Sequence, residues 1–401
     1  MVLVRTLRTW LVVLLAAFVA LQLVSLAALV LLKRIKHIPY APMAVDSINK
    51  QQRIMLEDFL AGGGGHVAYS SVLGWTANPN GRAPLDRAAS AGTRGGRGYT
   101  VVPRRGVLRI ATFGAFDYGG DAKVEDSWQE VMMRSHSNVE VLNFGVQDFG
   151  IDQAFLRYEH DGTAYKPDIV IMEFLPESIY LSVNVYRPFY YPNTDLPLAK
   201  PRYVWQRGGL VLLPTPLRSL PQYADLLTDP ARVLPALGRH DYFYQSGYHR
   251  GRLAVLPSVR LLQILRDRLV RRGAAIEIEK NGVYNVGSEA FTVTAAIFDQ
   301  FVTATRRAGA VPIIVALPHA SDVDRYRWGG PKVYAPLLEH FQTKGYRYVD
   351  MLDGFEKYGK ALTAADLSPG EYSPVGNQLV AKVLWQFLVA QHLTDPNLRS
   401  R

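Results

Sequence analysis

The longest apolar run lies at the start of the chain. Residues 10–32 read WLVVLLAAFVALQLVSLAALVLL, 23 positions without a charge, of which only Gln22 and Ser25 are polar. At about 1.5 Å of rise per residue this run covers the roughly 30 Å of a bilayer's hydrocarbon with some tilt, so the pattern predicts a membrane-spanning helix. A signal sequence has a shorter apolar stretch, and no small-residue cleavage site precedes the basic cluster at 33–36, which favours an uncleaved anchor. Arg5 and Arg8 before the run balance Lys33, Arg34 and Lys36 after it, so charge leaves the orientation open. Gln22 and Ser25 lie three apart, on one side of that helix. Lipid offers the glutamine amide no partner, so a neighbouring membrane protein is expected there.

Beyond the anchor the pattern alternates. Stretches 108–113 (LRIATF), 139–144, 168–174 (DIVIMEF), 311–317 (VPIIVAL) and 346–350 are short apolar runs rich in β-formers. Between and after them, 124–135, 151–159, 288–308 and 375–391 carry helical spacing. Phe291, Ile297, Phe298 and Phe301 share one side of the third of these helices, and Leu379, Val383, Leu384 and Leu388 one side of the last. Strand and helix alternating over this length predict a parallel sheet covered on both faces, a three-layer α/β/α domain. The rhythm breaks over 181–287, which is rich in proline and tyrosine and reads as an insertion or cap. The expected organisation is an anchor at 1–36, a stalk at 37–65 with a short helix and a glycine hinge at 62–65, and the domain at 66–395. The four glycines lack the Lys-Ser/Thr pair of a phosphate-cradling loop.

Composition narrows the function classes. The 401 residues are 48% hydrophobic and 20% charged and include no cysteine. This excludes a mainly disordered chain, a disulfide scaffold, a thiol nucleophile and a cysteine-ligated metal. The net charge of +10 has two sources: residues 1–45 carry five bases and no acid, and residues 82–109 carry seven arginines against Asp86. Charge placed beside an anchor and in one glycine-rich stretch fits anionic lipid or an acidic partner, not a nucleic-acid groove. Arg94, Arg97, Arg104 and Arg105 are the candidate contact residues of that stretch.

Several segments, in order, resemble membrane-anchored SGNH (GDSL-type) hydrolases. Tyr69-Ser-Ser-Val-Leu-Gly-Trp75 with Asn78-Pro-Asn80 is similar to their lead-in, and Gly92-Thr-Arg-Gly95 to their glycine–arginine turn. Arg109-Ile-Ala-Thr-Phe-Gly114 resembles the strand that delivers the nucleophile, and Glu125-Asp-Ser-Trp128 the start of the first helix. Asn143-Phe-Gly-Val146 with Asp152-Gln153 resembles the second block, Lys166-Pro-Asp-Ile-Val-Ile171 the strand into the third, and Tyr372-Ser-Pro-Val-Gly-Asn377 the segment after the catalytic histidine. The resemblance covers roughly residues 66–390, least well over 181–287. It implies the SGNH-hydrolase fold and a body facing the periplasm from a bacterial inner membrane.

The same resemblance implies that the catalytic blocks are replaced. The nucleophile's position is Phe116, the oxyanion glycine's is Asp148, the third block falls on Glu177 and its neighbours, and the last block's aspartate and histidine become Ser368 and Glu371. Hydrolysis by this route needs a nucleophile, a base, an orienting acid and oxyanion donors, so a pseudoenzyme is expected, with no cofactor and no metal. Asp117, Asp148, Glu177 and Glu371 are expected near the old pocket, where paired carboxylates could instead do new chemistry or be ordinary loop acids. His319 follows a strand and is either a surrogate base or a hydrogen-bonding residue. Two functions follow: a non-catalytic accessory subunit of a membrane protein assembly, or an envelope-polysaccharide acyl-modification factor with a rebuilt site. The expected partners are other membrane subunits and the bilayer, with polysaccharide under the second reading.

Overall fold

A computed structural model describes residues 2–36, 48–62, 67–78, 98–114, 124–146, 148–191, 194, 196–244, 253, 256–271, 277–358, 362–368 and 371–396. The N-terminal helix α1, Val2–Lys36, contains the apolar run, and its stretch Arg8–Leu32 is long and apolar enough to cross a membrane. Helix α2, Lys50–Leu60, opens on a capping box in which Asn49 and Gln52 satisfy each other's backbone N–H groups. It is no free stalk. Leu56 is fully buried, Phe59 packs edge-on against Tyr223, and Arg53 donates to the carbonyl of Leu227. Gly63, Gly64 and Gly65 of the expected hinge lie outside the described residues.

Five parallel strands form the central sheet: β1 Leu108–Phe113, β2 Val139–Asn143, β3 Ile169–Phe174, β4 Val311–Ala316 and β5 Tyr348–Asp350. Their order is β5-β4-β3-β1-β2. The register pairs Thr112 with Asn143 and Ile171, and Phe174 with Ala316. Residues of β1, β2 and β3 are buried on both faces, which is why these strands read as continuous apolar runs and not as alternations.

Helices cover both faces. On one side lie α3 (Trp128–Ser135), with α9 (Met351–Tyr358) and α10 (Pro374–Ala390) packed beside it; on the other lie α4 (Ile151–Arg157), α6 (Glu289–Arg307) and α8 (Ala335–Thr343). Helix α6 is capped by Ser288 and buries Val293, Ile297, Phe298 and Phe301, the face its spacing predicts. The architecture is thus the expected three-layer α/β/α domain. Between β3 and α6 the chain makes its long excursion. This holds a hairpin (Arg202–Gln206 with Gly209–Leu213), short helices, and α5 (Pro257–Arg271), which packs against α1. A further helix, α7 (Ala320–Arg327), follows β4.

Candidate functional site

The strand order reverses direction between β1 and β3. In a doubly wound sheet the loops diverge there, and the crevice outside the strands' carboxyl ends is where ligands sit. Glu173, next to last in β3, is buried at this point against Gly114, which follows β1. A Cβ on Gly114 would fall 2.7 Å from the Cβ of Glu173, so only glycine fits. Burial without an opposing charge pushes the Glu173 carboxyl up to about 8, so it is mostly protonated at neutral pH. The Trp128 indole offsets part of that rise, although its buried N–H makes no hydrogen bond of ordinary geometry; Glu173 Oε1 has none either.

Around the ends of β2 and β3 lies a second group. Asp148 adopts φ 58°, the left-handed region that favours glycine and that aspartate tolerates better than most residues. Its carboxylate accepts from Arg187 Nη2 at 2.5 Å, and the guanidinium lies over the Tyr190 ring, 5.6 Å from its centroid. Tyr190 stacks on Tyr180, with ring centroids 5.5 Å apart, and Tyr180 donates to Glu279. Burial raises both phenols, Tyr190 to about 12, with Glu177 adding to the rise of Tyr190.

After β4 stand His319 and Asp322. The Asp322 carboxylate accepts from the backbone N–H of His319 at 3.0 Å, and burial raises its pKa. The His319 ring is buried, and neither nitrogen makes a hydrogen bond among the described residues. Tyr372 donates to the Pro318 carbonyl at 2.5 Å, and Asn377 to the carbonyl of Tyr372 at 2.9 Å, which ties the start of α10 to this edge. Ser178, the first serine after β3, accepts from the N–H of Leu175 and serves the turn. The described residues thus provide a neutral acid, a buried imidazole, a paired arginine and stacked phenols. Among them, no serine or threonine hydroxyl is hydrogen-bonded to a histidine.

The residues singled out from sequence fall in several places. Phe116, Asp117, Arg94 and Arg97 lie outside the described residues. Ser368 and Glu371 are cross-strand partners in a small antiparallel pairing, Leu367–Ser368 with Glu371–Tyr372; only their backbones are described. Asp148 and Glu177 both stand at the sheet's carboxyl edge, but Asp148 is spent on Arg187 and not on a paired carboxylate. Arg104 and Arg105 are exposed, Arg104 lying 3.7 Å from Glu140. Arg109, counted in the same basic stretch, is fully buried on Glu140 and on the carbonyls of Thr100 and Tyr165 and offers no surface. Gln22 exchanges hydrogen bonds with Ser258 of α5, so its amide already has a partner within the chain. Sequence reading missed Glu173 and Arg187. A lone glutamate inside IVIMEF was a visible signal for the first; the second, 39 positions from Asp148, left none.

No protein-family model and no curated protein matches the chain. Among solved structures, one match is a putative lipolytic protein of the G-D-S-L family from Desulfitobacterium hafniense: TM-score 0.34, 13% identity, 70% of this chain and 99% of that one. A catalytic mutant of the acetylxylan esterase Axe2 from Geobacillus stearothermophilus matches at TM-score 0.34 and 12% identity, covering 70% and 94%. An α/β hydrolase, LAE5, from the metagenome of Lake Arreo matches at 0.35 and 12%, covering 72% and 96%. Likenesses this distant carry no inference about chemistry.

Proposed function

We propose that the chain is a membrane-anchored SGNH-fold module that does not hydrolyse esters and serves as an accessory subunit of a membrane protein assembly, its body in the periplasm of a bacterial cell. The observation that carries this reading is the state of His319. It is a histidine at the sheet's carboxyl edge, and both its ring nitrogens are buried without a hydrogen bond among the described residues. A base that activates a hydroxyl must reach it, and must itself be oriented by a third group. The sequence from Gly114 to Glu125 contributes no serine, threonine or cysteine to the loop after β1. Asp148, where an oxyanion donor would be needed, brings a carboxylate held by Arg187.

The test is extraction of the full chain in mild detergent, followed by size-exclusion chromatography and a p-nitrophenyl acetate assay. Stoichiometric membrane proteins are expected to co-elute, with ester turnover no faster than buffer. A solitary chain whose turnover is abolished by His319→Ala would overturn the proposal. That outcome would favour the second reading, acyl modification of an envelope polysaccharide. The stacked Tyr180 and Tyr190 beside Glu177 and Glu279 support that alternative, since aromatic faces with flanking carboxylates suit a sugar.

A further inference from the structure

We infer that α5 is a second membrane element: a half-inserted helix that lies along the anchor within one leaflet, its outer leucines facing lipid and its charged C-terminal end level with the headgroups. This rests on the reading of α1 as a membrane span.

Three observations carry it. The first is register. Ser258 donates its backbone N–H to Gln22 Oε1 at 3.1 Å, and Gln22 Nε2 donates to Ser258 Oγ at 3.0 Å. Six residues along α5, Ile264 packs on Leu29, seven residues along α1, with Leu261 against both. The two helices therefore run in the same direction, level with each other. Gln22 lies ten residues before Leu32, about 15 Å from the end of the apolar run. If α1 spans, the start of α5 is near mid-bilayer.

The second observation is that the first two positions of that buried start present no free N–H. Free N–H groups at a helix N-terminus are costly in hydrocarbon. The first residue of α5 is Pro257, which has none. The second, Ser258, gives its N–H to Gln22, and the N–H of Arg260 goes to the carbonyl of Leu256 at 3.0 Å. The polar residue of the anchor is thus placed where the second helix begins.

The third is the distribution of side chains. Residues 257–265, PSVRLLQIL, hold a single charge, Arg260, which is 7% exposed and so faces protein. Leu262 and Leu265 are 67% and 48% exposed, like Leu23 and Val30 of the anchor at 61% and 42%. Charge begins at Arg266, with Asp267, Arg268 and Arg271 following. By the register above, this change coincides with the change on α1 from Leu32 to Lys33, Arg34 and Lys36. Two helices in contact turn from apolar to basic at the same depth, as a leaflet boundary with anionic headgroups requires. A water-exposed helix has no reason to keep that match.

The chain has no cysteine, so single cysteines can be placed and labelled without further changes. The full chain carrying Leu262→Cys, Leu265→Cys, Leu15→Cys or Trp328→Cys is labelled with a small fluorophore. It is then reconstituted in phosphatidylcholine–phosphatidylglycerol vesicles with nitroxide on the acyl chains. Leu15 is 65% exposed on the anchor and Trp328 86% exposed on the body. Labels at 262 and 265 are expected to lose emission to the extent that 15 does, while 328 keeps its own. If 15 is quenched and 262 and 265 behave like 328, the inference fails and the anchor stands. If 15 is not quenched, the spanning reading fails and takes the inference with it.

Discussion

Glu173 shows how one side chain can fix the pH response of a domain. Folding buries its carboxyl without a counter-charge, and the folded-state pKa is about 8 against an ordinary 4.5. The folded protein keeps this proton over a range where the unfolded chain has released it. Its stabilising effect is complete below the ordinary value, declines as pH rises between the two and is lost above about 8. Each decade is worth about 1.4 kcal/mol, so the ionisable group lowers stability by a few kcal/mol at the alkaline end. Glu173→Gln keeps the shape and removes the proton equilibrium. Thermal unfolding at pH 5 and pH 8 should show the wild type losing more of its Tm than the variant does, and equal losses would rule out a buried neutral acid. At this scale the sequence exposed identities but not partners. The aspartate at 148 could be read from the chain; its positive φ could not. Its pairing with Arg187, and that of Asp152 with buried Lys200, joins residues far apart in sequence and needed the fold.

Elements were legible to the degree that their faces are one-sided. The core strands and α6 stand within a residue or two of the expected bounds, because a strand buried on both sides and a long amphipathic helix leave strong patterns. Short docked elements leave weak ones. Helix α2 holds five apolar residues among eleven, but so short a stretch does not say what its apolar side meets; its contacts, Tyr223 and Leu227, come some 170 residues later. Helix α5 was lost within the irregular insertion. Replacing a fully buried leucine with alanine costs about 2–5 kcal/mol, and on a peripheral helix the loss is capped by the energy of local undocking. Leu56→Ala should therefore speed backbone hydrogen exchange across residues 50–60 and leave β1 and β3 protected. Unchanged exchange in that segment would mean that α2 contributes nothing to the body.

For the whole molecule, if α1 spans a membrane as proposed, its contact with α5 changes what it can offer a partner. One side of α1 is taken: Gln22 by Ser258, and Leu29 by Ile264 and Leu261. The amide that called for a foreign helix is satisfied at home, so a neighbouring subunit must use the surface that remains: Leu23 and Val24, turned away from α5 and 61% and 68% exposed, and Leu14 and Leu15, before the level at which α5 begins and 63% and 65% exposed. In lipid, apolar surface drives no association by itself; close packing of matched shapes does. A variant that keeps Gln22, Ser25 and Leu29 but shuffles the apolar residues on the open side retains hydrophobicity and α5 docking while destroying any such match. Co-purification of membrane partners should weaken while the Tm of the body stays put. If the partners remain at full stoichiometry, the anchor and α5 serve only to seat the protein on the bilayer. Recognition must then come from the body, where the exposed Arg104 and Arg105 and the edge bearing Asp148, Glu177 and Tyr190 are the surfaces to alter next.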